Sequence, residues 1–188
     1  FQRGAIGTDI HRLRRLGAHL DCAARLILVG EAPGYQGCRY SGIAFTSERL
    51  VGEGVIPRLA PTSARLTDRS KPFSEPSATI VWGVLHDLGL AADTVLWNAV
   101  MLHPHRPDAP QSNRTPRVDE LALGQPALHL LRHRFPDARW VAVGKKAALA
   151  LHQAGLADHV AVRHPANGGA TLFREAMHAL RPSLRTRR

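Results

Sequence analysis

The chain has 188 residues, 44% of them hydrophobic, with 16 Gly and 13 Pro that form no repeat; this suits a single domain over 1–188 and excludes a disordered or collagen-like chain. A formal net charge of +10 and a sequence pI of about 11.1 suit either a polyanionic partner held through its phosphates or a solubility charge on an Arg-heavy chain. No window approaches 18 consecutive apolar residues, which excludes a membrane-spanning helix, and two cysteines, Cys22 and Cys38, are too few for a disulfide framework and point to a reducing intracellular compartment.

In chain order, the opening Phe1-Gln2-Arg3-Gly4 has no apolar stretch of the signal-peptide kind and no Met, so the true start is expected upstream. Leu13, Leu16 and Leu20 recur at helical spacing. A first strand is predicted over 25–30 (RLILVG), then a helix over 47–59 with Ser47 as N-cap. A helix over 79–88 leads to a strand over 94–99 (TVLWNA), with Gly89 placed to end the helix. The Leu-rich segment 119–135 predicts a helix that Pro126 kinks or divides. A strand over 139–144 (RWVAVG), a helix over 145–154, a strand over 159–163 (HVAVR) and a helix over 170–180 complete the pattern. Pro182 opposes continuation of the last helix, and 184–188 (LRTRR) reads as a frayed, solvated tail.

Short strands that are apolar on both faces are those of a parallel sheet covered by helices on both sides. The expected fold is therefore a three-layer α/β/α sandwich around a central, mainly parallel four-stranded sheet. Two long polar connections, 61–77 and 103–117, are rich in Pro, Ser and Arg; loops of that length are usually functional or disordered.

Ligands of open α/β sheets bind outside the carboxyl ends of the strands, so Glu31, Asn98 and His164, each at a strand end, are expected to share one crevice. There is no GxGxxG, no complete P-loop and no HExxH. His103 and His105 lack a third metal ligand, so no metal and no cofactor are expected, and Cys38 is read as incidental.

The segment 30–47 (GEAPGYQGCRYSGIAFTS), together with His164-Pro165-Ala166-Asn167-Gly168, resembles the uracil-DNA glycosylase superfamily. The first segment is similar to that family's G-x-x-P loop, which begins here at Gly30, and the second to its His-Pro motif. The resemblance runs from about residue 25 to 180. It implies an enzyme that flips uracil out of DNA and hydrolyses the N-glycosidic bond, leaving an abasic site. Phe45 would stack on the base. Asn98 would read its N3–H and O4 edge. His164 would stabilise the leaving anion, and the main chain of Glu31 and Ala32 would help hold the ring. Ser74 and Ser77, with Arg163, Asn167 and Gly168, would grip the DNA. The implied partners are uracil-containing DNA, single- or double-stranded, and free uracil as product. A monomeric, cytoplasmic, nucleoid-associated protein is expected.

Departures from the family pattern are informative. Its best-known branch has a water-positioning Asp where Ala32 stands. The GEAPG form is similar to the iron–sulfur branch, whose carboxylate falls at Glu31, yet that branch uses four Cys and this chain has two. Glu31 is therefore the candidate for orienting water or balancing the sugar cation. A Tyr that blocks the thymine methyl in the best-known branch is Gly34 here, with Tyr35 adjacent. The intercalating Leu falls at Gly168, with Leu172 or Asn167 as substitutes. Alternatives are a weakly catalytic module that binds uracil or abasic DNA, and a glycosylase for hypoxanthine or xanthine. Each residue also has a plainer reading: Asn98 bonding a turn, Glu31 pairing with an Arg, Phe45 as core.

Overall fold

The computed structural model describes residues 9–185. Four strands, β1 (Leu26–Gly30), β2 (Thr94–Asn98), β3 (Arg139–Val143) and β4 (His159–Val162), form one sheet in the order β2-β1-β3-β4. Every pairing is parallel. The expected three-layer α/β sandwich is observed.

The alternation of side chains along β1 divides the core. Leu26 and Leu28 face α4 (Pro76–Asp87) and α7 (Ala170–Arg185), through Val81, Trp82, Phe173 and Met177. Ile27 and Val29 face α5 (Val118–Arg134) and α6 (Lys145–Gln153), through Leu121, Leu128 and Leu151. The central strand is thus apolar on both faces because both faces are covered. Gly124 lets α5 approach the chain beyond β2: a Cβ there would lie 1.7 Å from the carbonyl oxygen of Ala99.

Strand β2 lies at one edge of the sheet. The helix α1 (Asp9–Leu20) covers it, and fully buried His19 accepts the Leu96 N–H on Nε2 at 2.9 Å. An imidazole thus takes the place of a ladder partner. Burial first, and then the Arg58 guanidinium, push the His19 pKa down to about 3. Arg58 also donates to the carbonyls of His19 and Thr94, at 2.9 and 3.0 Å.

Several expectations need correction. The helix expected over 47–59 is only α3 (Glu48–Gly52), because the chain turns left-handed at Gly54, φ 68°. Pro126 lies inside α5 without dividing it; the capping box of Arg117 and Glu120 and the buried Leu121, Leu128 and Leu131 hold the helix on both sides of that lost donor. The last helix runs through Pro182 to Arg185, since a proline weakens a helix without always ending it. Of the expected tail, 184 and 185 therefore belong to α7, and 186–188 lie outside the described residues. A short helix, α2 (Cys38–Ser41), had no sequence signal.

Much of the connection 61–77 gathers around one side chain. Glu48, 3% exposed, accepts from Arg65 Nε at 2.8 Å, the Leu66 N–H at 2.9 Å, the Thr67 N–H and hydroxyl at 3.1 and 2.7 Å, and the Phe73 N–H at 3.1 Å. Desolvation works against this charge, but the donors, Arg65 foremost, hold its pKa down at about 2.

Candidate active site

Gly30 and Asn98 end adjacent strands in register. Both positions face the α4/α7 side, where Phe45 closes over them. A Cβ on Gly30 would lie 2.6 Å from Phe45 Cζ and 2.8 Å from Asn98 Oδ1, so only glycine lets ring and carboxamide share this floor. His164 follows β4, and its ring centroid stands 5.9 Å from that of Phe45. The three side chains border a cavity of about 320 Å³ at the carboxyl ends of the strands.

Phe45 adopts φ 49°, a left-handed conformation that costs a bulky residue on the order of 1–3 kcal/mol. Buried hydrogen bonds hold it there. Ser41 Oγ donates to the Thr46 carbonyl at 2.7 Å and accepts the Ile43 N–H at 3.2 Å. Thr46 Oγ1 donates to the Ala44 carbonyl at 3.0 Å and accepts from Trp82 Nε1, on α4, at 3.1 Å.

His164 Nδ1 accepts the Ala166 N–H at 3.1 Å, so the neutral ring carries its proton on Nε2. Burial, then the charge of Arg163, lower its pKa and keep it neutral near pH 7. Glu31 lines the same cavity; burial raises its pKa and Lys146 opposes that rise. Its carbonyl accepts the Val100 N–H at 3.0 Å, which ties the first loop to the chain beyond β2.

The remaining predicted residues divide into groups. Ala32, Tyr35 and Ser77 line the cavity. The Tyr35 ring packs edge-on against Phe73 at 5.4 Å, and its N–H donates to Asn113 Oδ1 at 2.9 Å. Arg163 and Asn167 border an adjoining open groove of about 1240 Å³, with Arg114, Lys145 and Lys146. Gly168 and Ser74 line neither space; Gly168 is exposed at a loop tip, and Ser74 accepts from Arg49 Nε at 3.2 Å. Leu172, 56% exposed, lies in the first turn of α7.

Asn113, Cys38 and Glu75 line the cavity without having been assigned to it from the sequence. Asn113, from the long 103–117 connection, also approaches His103 Nε2 at 3.1 Å and so pins that connection to the first loop. Cys38, read as incidental from the sequence, lines the cavity, and burial, then the carboxyl of Glu75, push its thiol up to about 12 against an Asn98 hydrogen bond. Glu75 brings a second carboxyl into the cavity, where burial pushes its pKa up to about 7. Only the proximity of Glu75 to Ser77 in the sequence could have drawn attention to it.

The family model described as the uracil DNA glycosylase superfamily matches residues 18–181. Among solved structures, that of SMUG2 from Pedobacter heparinus is similar in fold, with a TM-score of 0.60 at 17% identity, covering 85% of this chain and 76% of that one. No curated protein matches the chain in sequence. Among the described residues no helix is long and apolar enough to cross a membrane. With a match spanning nearly all of the described fold, the chain belongs to the uracil DNA glycosylase superfamily, whose members act on DNA.

Proposed function

We propose that this DNA glycosylase removes uracil from DNA by extruding it into the cavity between Phe45, Asn98 and His164. The observation that carries the reading is their convergence: Phe45 and Asn98 meet above Gly30, and the His164 ring lies 5.9 Å from Phe45. A cavity of about 320 Å³ is at the small end of ligand sites, which suits one nucleobase.

The chemistry follows from the charges. As the glycosidic bond stretches, the sugar gains oxocarbenium character and the base leaves as an anion. Phe45 offers a face to the ring, and the Asn98 carboxamide offers one donor and one acceptor to the N3–H and O4 edge. Cytosine reverses that edge, and each mismatched buried polar group costs about 1–3 kcal/mol. The Nε2–H of neutral His164 donates to O2 as negative charge builds there, with no proton transfer required. Glu31 gains a partner when the sugar becomes cationic, and it is the candidate for orienting the attacking water. Ala32, where an Asp stands in the best-known branch, supplies no charge.

The open groove beside the cavity supports a path for the DNA backbone. It combines Arg114, Lys145, Lys146 and Arg163 with the N-terminus of α6, all favourable to phosphate. A blunt loop tip at Asn167 and Gly168, both exposed, favours single-stranded or mismatched substrates, where less unstacking is needed.

The test is incubation with single- and double-stranded oligonucleotides carrying uracil, hypoxanthine or xanthine, followed by alkaline cleavage at abasic sites. Cleavage at uracil supports the reading. Cleavage only at a purine lesion reassigns the base, and tight binding of abasic DNA without excision makes the chain a binding module.

A further inference from the structure

The cavity holds a carboxyl that the reaction outlined above does not use. Glu75 precedes α4 and reaches across to the first loop, where a Cβ on Gly37 would lie 1.6 Å from its Oε2. A glycine is therefore needed opposite this carboxyl for it to occupy the cavity. The Oε2 atom is buried and, among the described residues, has no hydrogen-bond partner. Its Oε1 lies 4.0 Å from the Cβ position of Gly34, so the group stands on the wall where the first loop carries no side chain. Cys38 and Asn98 line the same cavity. With Oε2 sealed against Gly37, Oε1 is the oxygen left to meet a ligand in the cavity.

Resting on the base-pocket reading above, we propose that Glu75 is a specificity-determining residue: beside Asn98, its carboxyl hydrogen-bonds the oxo group of a deaminated base and turns away the amino group of the undamaged one. A neutral carboxylic acid donates its O–H to an oxo oxygen. An ionised carboxylate can only accept, which suits an amino group instead. The two protonation states of Glu75 therefore prefer opposite bases.

Burial favours the neutral form, and among the described residues no cation opposes it. The titratable groups that share the cavity are Glu31 and Tyr35 of the first loop, Cys38 of α2 and His164 of the loop after β4. The thiol of Cys38 stays neutral across the accessible pH range, and neutral His164 adds no charge above pH 7. Glu31 and Glu75 are thus the two carboxyls whose titration the base feels.

The experiment compares wild type, Glu75→Gln and Glu75→Ala in single-turnover excision of uracil and cytosine between pH 5.5 and 9. Wild-type kcat/KM for uracil is expected to fall about ten-fold per pH unit above pH 7, as expected for loss of one essential proton. Glu75→Gln, whose amide still donates, keeps uracil excision within a few-fold at pH 6 and loses this alkaline limb. Glu75→Ala loses about ten-fold or more at pH 6. Gly37→Ala, which leaves the carboxyl no room, behaves like Glu75→Ala. An unchanged alkaline limb in Glu75→Gln, or wild-type rates in Glu75→Ala, overturns the proposal and leaves the glycosylase reading intact. If the wild type binds free uracil without excising it, the pH dependence of that binding is read in the same variants with the same criteria. Neither excision of any lesion nor uracil binding at any pH overturns both.

Discussion

The backbone of Gly30 and the ring of Phe45 occupy a space that no side chain at position 30 could share, since a Cβ there would fall 2.6 Å from Phe45 Cζ. Gly30→Ala must displace the ring or the strand end. The expected result is a loss of excision together with a stability loss of about 1–3 kcal/mol, the usual cost of overpacking. Denaturant melts and single-turnover excision check both arms; wild-type values in the two would show that the floor of the cavity is looser than described.

Removal of the imidazole separates chemistry from affinity. His164→Ala is expected to lower excision by ~10²–10³, the usual cost of one preorganised donor at a developing anion, with little change in affinity for abasic DNA. Protonation would place a hydrogen on Nδ1, which now accepts the Ala166 N–H. Because the His164 pKa is lowered from 6.5, the acid limb of the rate profile should start below pH 6.5. A pH–rate profile of the wild type checks the position of that limb, and a parallel loss of DNA affinity in His164→Ala would speak for a structural role.

His19 ties α1 to the edge of the sheet only while neutral. Its pKa is about 3 in the folded protein against 6.5 in the unfolded chain. The unfolded chain binds the proton first, so this contribution to stability is complete above pH 6.5 and is lost as pH falls toward 3. His19→Leu strands the Leu96 N–H and should cost about 1–3 kcal/mol at pH 7. Its stability should also vary less between pH 6.5 and 4 than that of the wild type, as urea melts at the two pH values would reveal.

Glu48 behaves in the same direction at lower pH. Its pKa of about 2 lies below the ordinary 4.5, so its contribution is present above pH 4.5 and is lost as pH falls through about 2. Glu48→Ala leaves Arg65 and the main-chain donors of 66, 67 and 73 without their acceptor, and a cost of about 3–5 kcal/mol is expected from breaking such a buried charge network. Limited proteolysis should then cut within 61–77, the segment these bonds order; resistance there would mean that the loop is held by other contacts.

The layers of the fold were legible because β1, buried on both faces, leaves an uninterrupted apolar run at 26–30 that alternation cannot disguise. The convergence of Glu31, Asn98 and His164 followed from their positions at strand ends, and the lining of one cavity by all three supports that reasoning. What escaped was set by contacts distant in sequence. Nothing local marks Glu75 as facing Gly37, or Asn113 as receiving the Tyr35 N–H from 78 positions away. The helix expected over 47–59 failed for a related reason: Glu48 turns its carboxylate toward the 61–77 connection, and the chain turns away at Gly54.

The most direct measurement is a crystal structure of the protein with free uracil. The ring is expected against Phe45, with the Asn98 carboxamide at N3 and O4 and His164 Nε2 within hydrogen-bond distance of O2. Uracil bound anywhere else, or seated in the cavity with O2 turned away from His164, would contradict the account.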